Sequence, residues 1–462
     1  MSSLLDPPRL HLVSLGCPKN LVDSEFLLGL MTEKGFKVVE DPGRADIIII
    51  NTCAFIKPAV EEAIATILEL AEYKKNDAAS RLVVLGCLPQ RYPRELEALL
   101  PEVDLFWGAG GLDRLPAVIK NLMENETIGP VRRGQAASKD WLALPPGFVP
   151  TGAGPRLRTA PGHRAYLKIA EGCSNACSYC LIPKLRGPFR SRPMPVLLEE
   201  AARLAEDGVK ELILVAQDTT AYGRDLKNIN LALLLKKLTG LEGLSWLRIM
   251  YAYPSGLTDE LLEVMAGEPR ICPYLDLPLQ HASRAILGKM RRGGPRNLLR
   301  LVARLRRRVP GLTLRTAFIV GFPGETDDHF NLLMDFVAAA RFDHLGVFKY
   351  CPEEGTAAAG LPGQVPQRVK ETRRRRLLAR QRRISRQINK TLVGRTQSVM
   401  IEGLSPETDL LLTGRTQGQA PEIDGQVLIT KGTARPGQIK TVLITKAYDY
   451  DLIGEIQDQR LT

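Results

Sequence analysis

Six of the eight cysteines fall into two sets of three. The tighter set lies in the run Cys173-Ser-Asn-Ala-Cys177-Ser-Tyr-Cys180. Three thiolates on one short loop can each take one iron of a cubane [4Fe–4S] cluster. The fourth iron then lacks a protein ligand, and an open metal position is what catalysis needs. The amino and carboxylate groups of S-adenosylmethionine (SAM) can chelate that iron. An electron from the cluster can then cleave the sulfonium to a 5′-deoxyadenosyl radical, the protein positioning and shielding the cofactor's chemistry. A zinc knuckle would want four ligands, and no His or Cys follows within twenty residues of Cys180.

The second set, Cys17, Cys53 and Cys87, is separated by 36 and 34 residues, too far for one loop. Each follows an apolar run: HLVSLG before Cys17, IIIINT before Cys53 and LVVLG before Cys87. In a parallel sheet such runs end side by side, along the edge where open α/β sheets bind ligands. The three thiolates are therefore expected in one crevice, holding a second cluster with an open iron. Three buried packing cysteines are the plainer alternative. Cys272 and Cys351, each before a proline, read as packing residues, and His281 as a structural histidine.

The elements that must position these groups are legible as strands alternating with helices. Up to residue 124, apolar runs at Leu10–Leu15, Ala45–Ile50 and Arg81–Leu85 alternate with helical patterns at Ser24–Glu33 and Ala59–Glu72. This predicts an N-terminal α/β domain with a parallel sheet. Residues 125–160, rich in Gly, Pro and Ala, read as a linker. From 161 to 390 six further runs are expected as strands: Tyr166–Ala170, Leu212–Ala216, Leu247–Tyr251, Tyr274–Leu279, Leu314–Val320 and Leu345–Tyr350. Helical patterns lie between them, at Val196–Glu206, Thr258–Ala266, Asn297–Arg308 and Asp327–Ala340. That predicts a partial TIM-like (β/α)6 barrel, with chemistry at the C-terminal strand ends. In 392–462 helical periodicity stops, and short runs punctuated by Gly and Pro predict a small all-β barrel.

The chain's 462 residues are too many for one core. With 44% hydrophobic and 25% charged residues it reads as an ordinary soluble protein. No apolar run approaches the ~18–20 residues of a membrane span, and the N-terminus lacks a secretory pattern. A cytoplasmic, reducing setting is expected, in which free cysteines serve as ligands or catalysts. The net charge of +12 is concentrated. Arg368–Lys390 carries eleven Lys or Arg and one acid, and Arg284–Arg308 ten and none. Such stretches either attract RNA or are solvated helix faces. Val393–Thr462, with seven basic and nine acidic residues, is slightly negative.

Over nearly its full length the chain resembles the methylthiotransferase family of radical-SAM enzymes, which joins a three-cysteine α/β domain, a radical-SAM core and a C-terminal TRAM β-barrel. It is more similar to the branch that acts on ribosomal protein S-twelve than to the branch that acts on tRNA. The run Gly16-Cys17-Pro18-Lys19-Asn20-Leu21-Val22-Asp23-Ser24-Glu25 carries that choice, since tRNA-acting chains usually have Gln-Met-Asn after the first cysteine. Val215–Gly223, Tyr274–Ser283 and Ala420–Val427 point the same way. The resemblance implies a radical-generating cluster on Cys173, Cys177 and Cys180, and an auxiliary cluster on Cys17, Cys53 and Cys87. It implies SAM contacts from Tyr179, Gln217, Asp218, Gly321 and Glu325. It further implies methylthio transfer to the β-carbon of an aspartate, with S-twelve or the small ribosomal subunit as partner and a donor such as flavodoxin or ferredoxin. For this the two open irons must share a cavity, the N-terminal sheet edge capping the barrel mouth, while the TRAM barrel is expected to present the substrate. The rivals are a tRNA adenosine methylthiotransferase and a non-catalytic, metal-bearing RNA-binding protein.

Overall fold

The structure, a computed structural model, describes residues 6–76, 80–124 and 154–457. Most of the expected linker, 125–153, lies outside the described residues. The N-terminal strands are β1 (Arg9–Ser14), β2 (Lys37–Val38), β3 (Ile47–Thr52), β4 (Arg81–Gly86) and β5 (Leu105–Trp107). They form a parallel sheet in the order β2-β1-β3-β4-β5. This is the doubly wound order whose ligand crevice opens between the first and third strands. β3 is buried at every position, as a central parallel strand covered on both faces must be. Helices α1 (Pro18–Glu33), α2 (Lys57–Asn76), α3 (Cys87–Arg91), α4 (Leu96–Leu99) and α5 (Leu115–Glu124) complete this domain. Two apolar clusters fill its faces, one around Ile48, Ile50 and Ile67, the other around Ile47, Ile49 and Trp107.

The central domain carries β6 (Arg164–Lys168), the short pair β7 (Ala170–Glu171) and β8 (Arg190–Ser191), then β9 (Glu211–Val215), β10 (Trp246–Ile249), β11 (Ile271–Asp276), β12 (Thr313–Val320) and β13 (His344–Lys349). Six of these pair in parallel, in chain order from β6 to β13, giving the expected open (β/α)6 arc. Its helices are α6 (Ile182–Arg186), α7 (Met194–Glu206), α8 (Leu231–Leu238), α9 (Asp259–Gly267), α10 (Arg284–Lys289), α11 (Leu298–Arg308), α12 (Asp327–Ala340) and α13 (Gln367–Lys390). The largest core joins outward-facing residues such as Leu212, Leu214 and Leu247 to these helices.

Strands β14 (Thr396–Ser405), β15 (Thr408–Thr416), β16 (Val427–Lys431), β17 (Ile439–Ala447) and β18 (Leu452–Ile456) close into a barrel in the order β14-β15-β16-β18-β17. This small barrel docks on the N-terminal ends of the arc's strands. Arg415 Nη2 lies 2.5 Å from both Glu211 and Glu402, Arg248 Nε 2.7 Å from Glu211, and Arg164 Nη1 2.9 Å from Glu402. The expectation that it presents the substrate is thereby qualified, because these contacts lie a strand length, roughly 15–20 Å, from the C-terminal strand ends.

The basic stretches are also less free than their composition suggests. Arg373 is buried and Arg292 half-buried, Lys370 gives its ammonium to the Tyr350 carbonyl at 2.8 Å, and Arg304 and Arg308 pair with Asp259. Arg375, Arg376, Arg382, Arg383 and Arg386 on α13 remain exposed.

Candidate active site

Both cysteine sets lie at strand ends that face one another across a domain boundary. Cys17 is the N-cap of α1, with Pro18 fixing the first helical turn. The chain reaches Cys17 through Gly16 at φ +93°, where a Cβ would stand 2.5 Å from Cys53 Cβ and 3.1 Å from Cys53 Sγ. Only a glycine lets the ends of β1 and β3 approach this closely. Cys87 starts α3, and Thr52, one residue before Cys53, ties the ends of β3 and β4 through its hydroxyl, which donates to the Leu85 carbonyl and accepts from Leu88 N–H. Asn20 Nδ2 donates to the carbonyls of Leu15 and Thr52, fixing α1 over this edge.

In the central domain the compact set follows β7. Gly172 at φ +73° turns the chain into it, and a Cβ there would meet the Pro188 carbonyl oxygen at 2.2 Å. Backbone N–H groups point at two of the sulfurs, Asn175 to Cys173 and Ile182 to Cys180, each at 3.4 Å. The loop is pinned from below by Ser178, which bonds the carbonyls of Met290 and Lys289.

Arg186, on the helix following the compact cysteines, crosses to the dispersed set. Its guanidinium donates to Cys87 Sγ at 3.3 Å, to Asp23 at 2.8 Å and to Asn20 Oδ1, with Glu171 at 3.7 Å. Lys168 completes the cluster, pairing with Asp23 and, at 2.8 Å, with Glu171. Two cations and two carboxylates are thus buried at the seam. Burial opposes ionisation of Glu171, but Lys168 and Arg186 outweigh it and hold its carboxyl below the usual range. Further along the seam, Glu353 accepts from Lys57 N–H at 2.8 Å and from Arg91 at 2.9 Å. Lys19 sits over the Tyr251 ring, 3.5 Å from its centroid. The N-terminal sheet edge therefore caps the mouth of the arc, as the shared-cavity expectation requires.

Thiol acidity divides the dispersed set. Burial would raise Cys17, yet Lys19 and Arg186 bring it below the ordinary value. Burial and the neighbouring Cys87 push Cys53 up to about 11, and burial raises Cys87 despite Arg186. In the compact set burial pushes Cys180 up to about 12 and also raises Cys173. Buried thiols of this kind ionise on binding metal, so metal loading releases protons. Among the described residues no three His, Cys, Asp or Glu approach closely enough to hold one ion. A cubane needs a wider spread, since each thiolate takes its own iron. Three all-sulfur donors, with N–H groups aimed at the sulfurs, fit that requirement in both sets.

The remaining candidates fall into two groups. Asp218 is buried beside the compact set, accepting from Asn175 Nδ2 at 2.9 Å and from Thr220 at 2.7 Å, and Gln217 is half-buried at the same strand end. Tyr179 packs with Phe322, Tyr350 and Met290. Gly321 and Glu325 form the turn after β12, where the Glu325 carboxylate accepts from the N–H groups of Gly321 and Phe322 and faces Arg373 at 3.4 Å. Glu325 thus supports its own turn. Cys272 is fully buried in β11, and His281 Nδ1 accepts from Ser283 N–H at 2.9 Å. Sequence reasoning missed Arg186 and Arg292. Arg292 lies 3.8 Å from Cys177 Sγ and 3.5 Å from Tyr179 Oη, and stacks 4.2 Å from the Tyr253 ring centroid. Arg292 had no signal of its own inside a basic run.

Three family models match the chain: Uncharacterized protein family UPF0004 over 9–108, the Radical SAM superfamily over 167–337 and the TRAM domain over 393–456. The fold and the compact cysteine loop therefore define a radical SAM enzyme, whose cofactors are SAM and [4Fe–4S] clusters. The ribosomal protein uS12 methylthiotransferase RimO of Citrifermentans bemidjiense is 50% identical over 97% of this chain and 98% of its own length. The same enzyme of Syntrophus aciditrophicus is 52% identical over 96% and 98%. The chain belongs to the RimO family of methylthiotransferases. Among solved structures, the radical S-adenosylmethionine methyltransferase TsrM of Kitasatospora setae with cobalamin and a [4Fe–4S] cluster bound shares the fold, with TM-score 0.54 and 15% identity over 75% of this chain and 72% of that one.

Proposed function

We propose that this enzyme adds a methylthio group to the β-carbon of an aspartate in ribosomal protein uS12. Cys173, Cys177 and Cys180 hold the cluster that binds SAM, and Cys17, Cys53 and Cys87 hold the cluster that carries the sulfur. When bound, the two clusters and SAM supply a radical able to break an unactivated C–H bond and a methylated sulfur to replace the hydrogen. The protein brings the two sites to one seam and shields it. Asp218 fastens the compact loop through Asn175, and the turn from Gly321 to Glu325 shapes the wall that Tyr179 packs against. Tyr179, Gln217, Asp218 and Gly321 are assigned to the SAM side, with Glu325 holding their turn. A flavodoxin or ferredoxin supplies the electrons, in the cytoplasm. No helix among the described residues is long and apolar enough to cross a membrane.

The observation that carries this reading is the juxtaposition of two cysteine triplets through Arg186, which bonds Cys87 from the helix that follows Cys180. The test is reconstitution of the chain under anaerobic conditions with uS12, SAM and a reductant, followed by mass spectrometry of uS12 peptides and tRNA nucleosides. A methylthio group on a uS12 aspartate is expected. Modification confined to tRNA, or zinc in place of about eight irons per chain, overturns it.

A further inference from the structure

Three buried cations and one half-buried cation lie where the two cysteine sets meet, and their partners differ. Lys168 and Arg186 are matched by Asp23 and Glu171. Arg292 sits on the compact-loop side, spent on the Pro278 carbonyl at 2.5 Å, Tyr179 and the Tyr253 ring. Lys19 is 6% exposed, and among the described residues no carboxylate lies within 4.0 Å of its ammonium. From the barrel, the Tyr251 ring centroid lies 3.5 Å from its ammonium and Asp276 stands further off. The anionic groups nearest it are the Cys17 thiolate, assigned to the cluster, and Asp276, so its buried ammonium lacks a paired carboxylate, a costly state that a ligand's carboxylate would relieve.

The position of Lys19 says what that something is. It stands two residues after Cys17, at the start of α1. Tyr251, two residues past β10, adopts φ +57°, uncommon for a bulky side chain, and its carbonyl accepts from Thr219 N–H at 3.1 Å. Thr219 adjoins Asp218, which holds Asn175 in the compact loop. Lys19 is therefore one short chain of contacts from each cysteine set. In an aspartate side chain the carboxylate carbon is bonded directly to the β-carbon, about 1.5 Å away. Whatever holds the carboxylate between the sets also places the β-carbon there.

We infer that Lys19 binds the carboxylate of the substrate aspartate and so sets both the residue type accepted and the position of the carbon to be modified. This rests on the proposed uS12 activity. It also gives a chemical meaning to Lys19 in the Pro18-Lys19-Asn20 run, since a nucleobase offers no carboxylate to pair with.

The experiment measures equilibrium binding of uS12 to the reconstituted full chain with SAM but no reductant. uS12 is used in its natural form and with the modified aspartate, located by mass spectrometry, changed to asparagine. Hydrogen bonds between charged partners outweigh neutral ones enough that wild type should bind the asparagine form about 10- to 100-fold more weakly. Lys19→Met should bind natural uS12 more weakly by a similar factor and no longer distinguish the two forms. Lys19→Arg should keep the distinction. Equal binding of both forms by wild type overturns the inference, and this arm does not depend on any variant folding. Undiminished discrimination by Lys19→Met with full iron content also overturns it. Absence of any methylthio group on uS12 is instead failure of the parent reading, and removes this inference with it.

Discussion

Replacing Arg186 by methionine tests whether the two halves of the site are held together by charge. The seam cluster contains Asp23, Glu171, Lys168 and Arg186, a neutral set. Arg186→Met leaves two carboxylates facing one ammonium, with a net buried negative charge, and strips the Asn20 amide oxygen and Cys87 sulfur of a donor. Breaking a buried pair by removing one partner costs about 3–5 kcal/mol. At 1.36 kcal/mol per tenfold, the docked arrangement of the two domains becomes about 10² to 10⁴ times less favoured. Hydrogen exchange should rise in 18–25 and 182–186 while the strands of either sheet stay protected. Iron on the dispersed cysteines should fall, taking the total from about eight per chain toward four. The charge argument makes a sharper demand: Arg186→Met with Asp23→Asn restores neutrality and should recover most of the lost protection. Arg186→Lys should not, because an ammonium cannot span four partners as a planar fork does. If Arg186→Met exchanges like wild type at the seam, or if Asp23→Asn deepens the defect, electrostatic latching is the wrong account.

Three further outcomes follow from the same geometry. Cys53→Ala should lose about four irons and methylthio transfer yet still cleave SAM on reduction, whereas Cys177→Ala should lose SAM cleavage as well. Mass spectrometry and iron assay separate the two, and loss of SAM cleavage in both would mean one shared centre. Burial raises Glu402, but His163, Arg415 and Arg164 outweigh it and lower it to about 2, against about 4.3 when unfolded. Its contribution of about 3 kcal/mol is therefore full above pH ~4.5 and is lost as pH falls toward 2. Hydrogen exchange at the small barrel's docking face should rise on acidification over that window, and Glu402→Gln should remove this pH dependence. Gly172→Ala places a Cβ against the Pro188 carbonyl at a left-handed φ, so it should destabilise the compact loop by about 1–3 kcal/mol, seen as iron loss from that set with the dispersed set intact.

How much of this was legible in the sequence depended on how local each signal was. The compact cysteines needed only their spacing. The dispersed cysteines needed one further step, because a strand end is a position the apolar run itself marks, and β1, β3 and β4 end within two residues of the runs that foretold them. β2 and β5, of two and three residues, are too short to show a period. β15 carries no clean period, because its inward and outward residues do not alternate in TDLLLTGRT. Residues 154–160 read as linker, yet Arg156, Thr159 and Ala160 all bond Glu25, a contact 131 to 135 positions distant that composition does not reveal.

The same distance dependence explains why the residues that join the sites were invisible while the residues within each site were not. Arg186 meets Asn20 and Asp23 across 166 and 163 positions, and Cys87 across 99. A lone arginine after a cysteine loop carries no mark of such partners. What the sequence does carry is the requirement that makes them necessary: two sets of thiols in separate domains are useful together only if something fixes one set against the other. Hydrophobic burial contributes part of that, with Val22 from α1 and Met400 from the small barrel entering the arc's interior from opposite ends. Apolar contact is non-directional, however, and fixes neither register nor rotation. The charged seam has directions and a stoichiometry, so a one-residue error in docking would leave a buried ion unmatched. By this argument the polar residues at the seam are kept for alignment and not for stability. Replacing all four charges at once by apolar residues of similar volume should then leave the chain folded, with both clusters present but out of register.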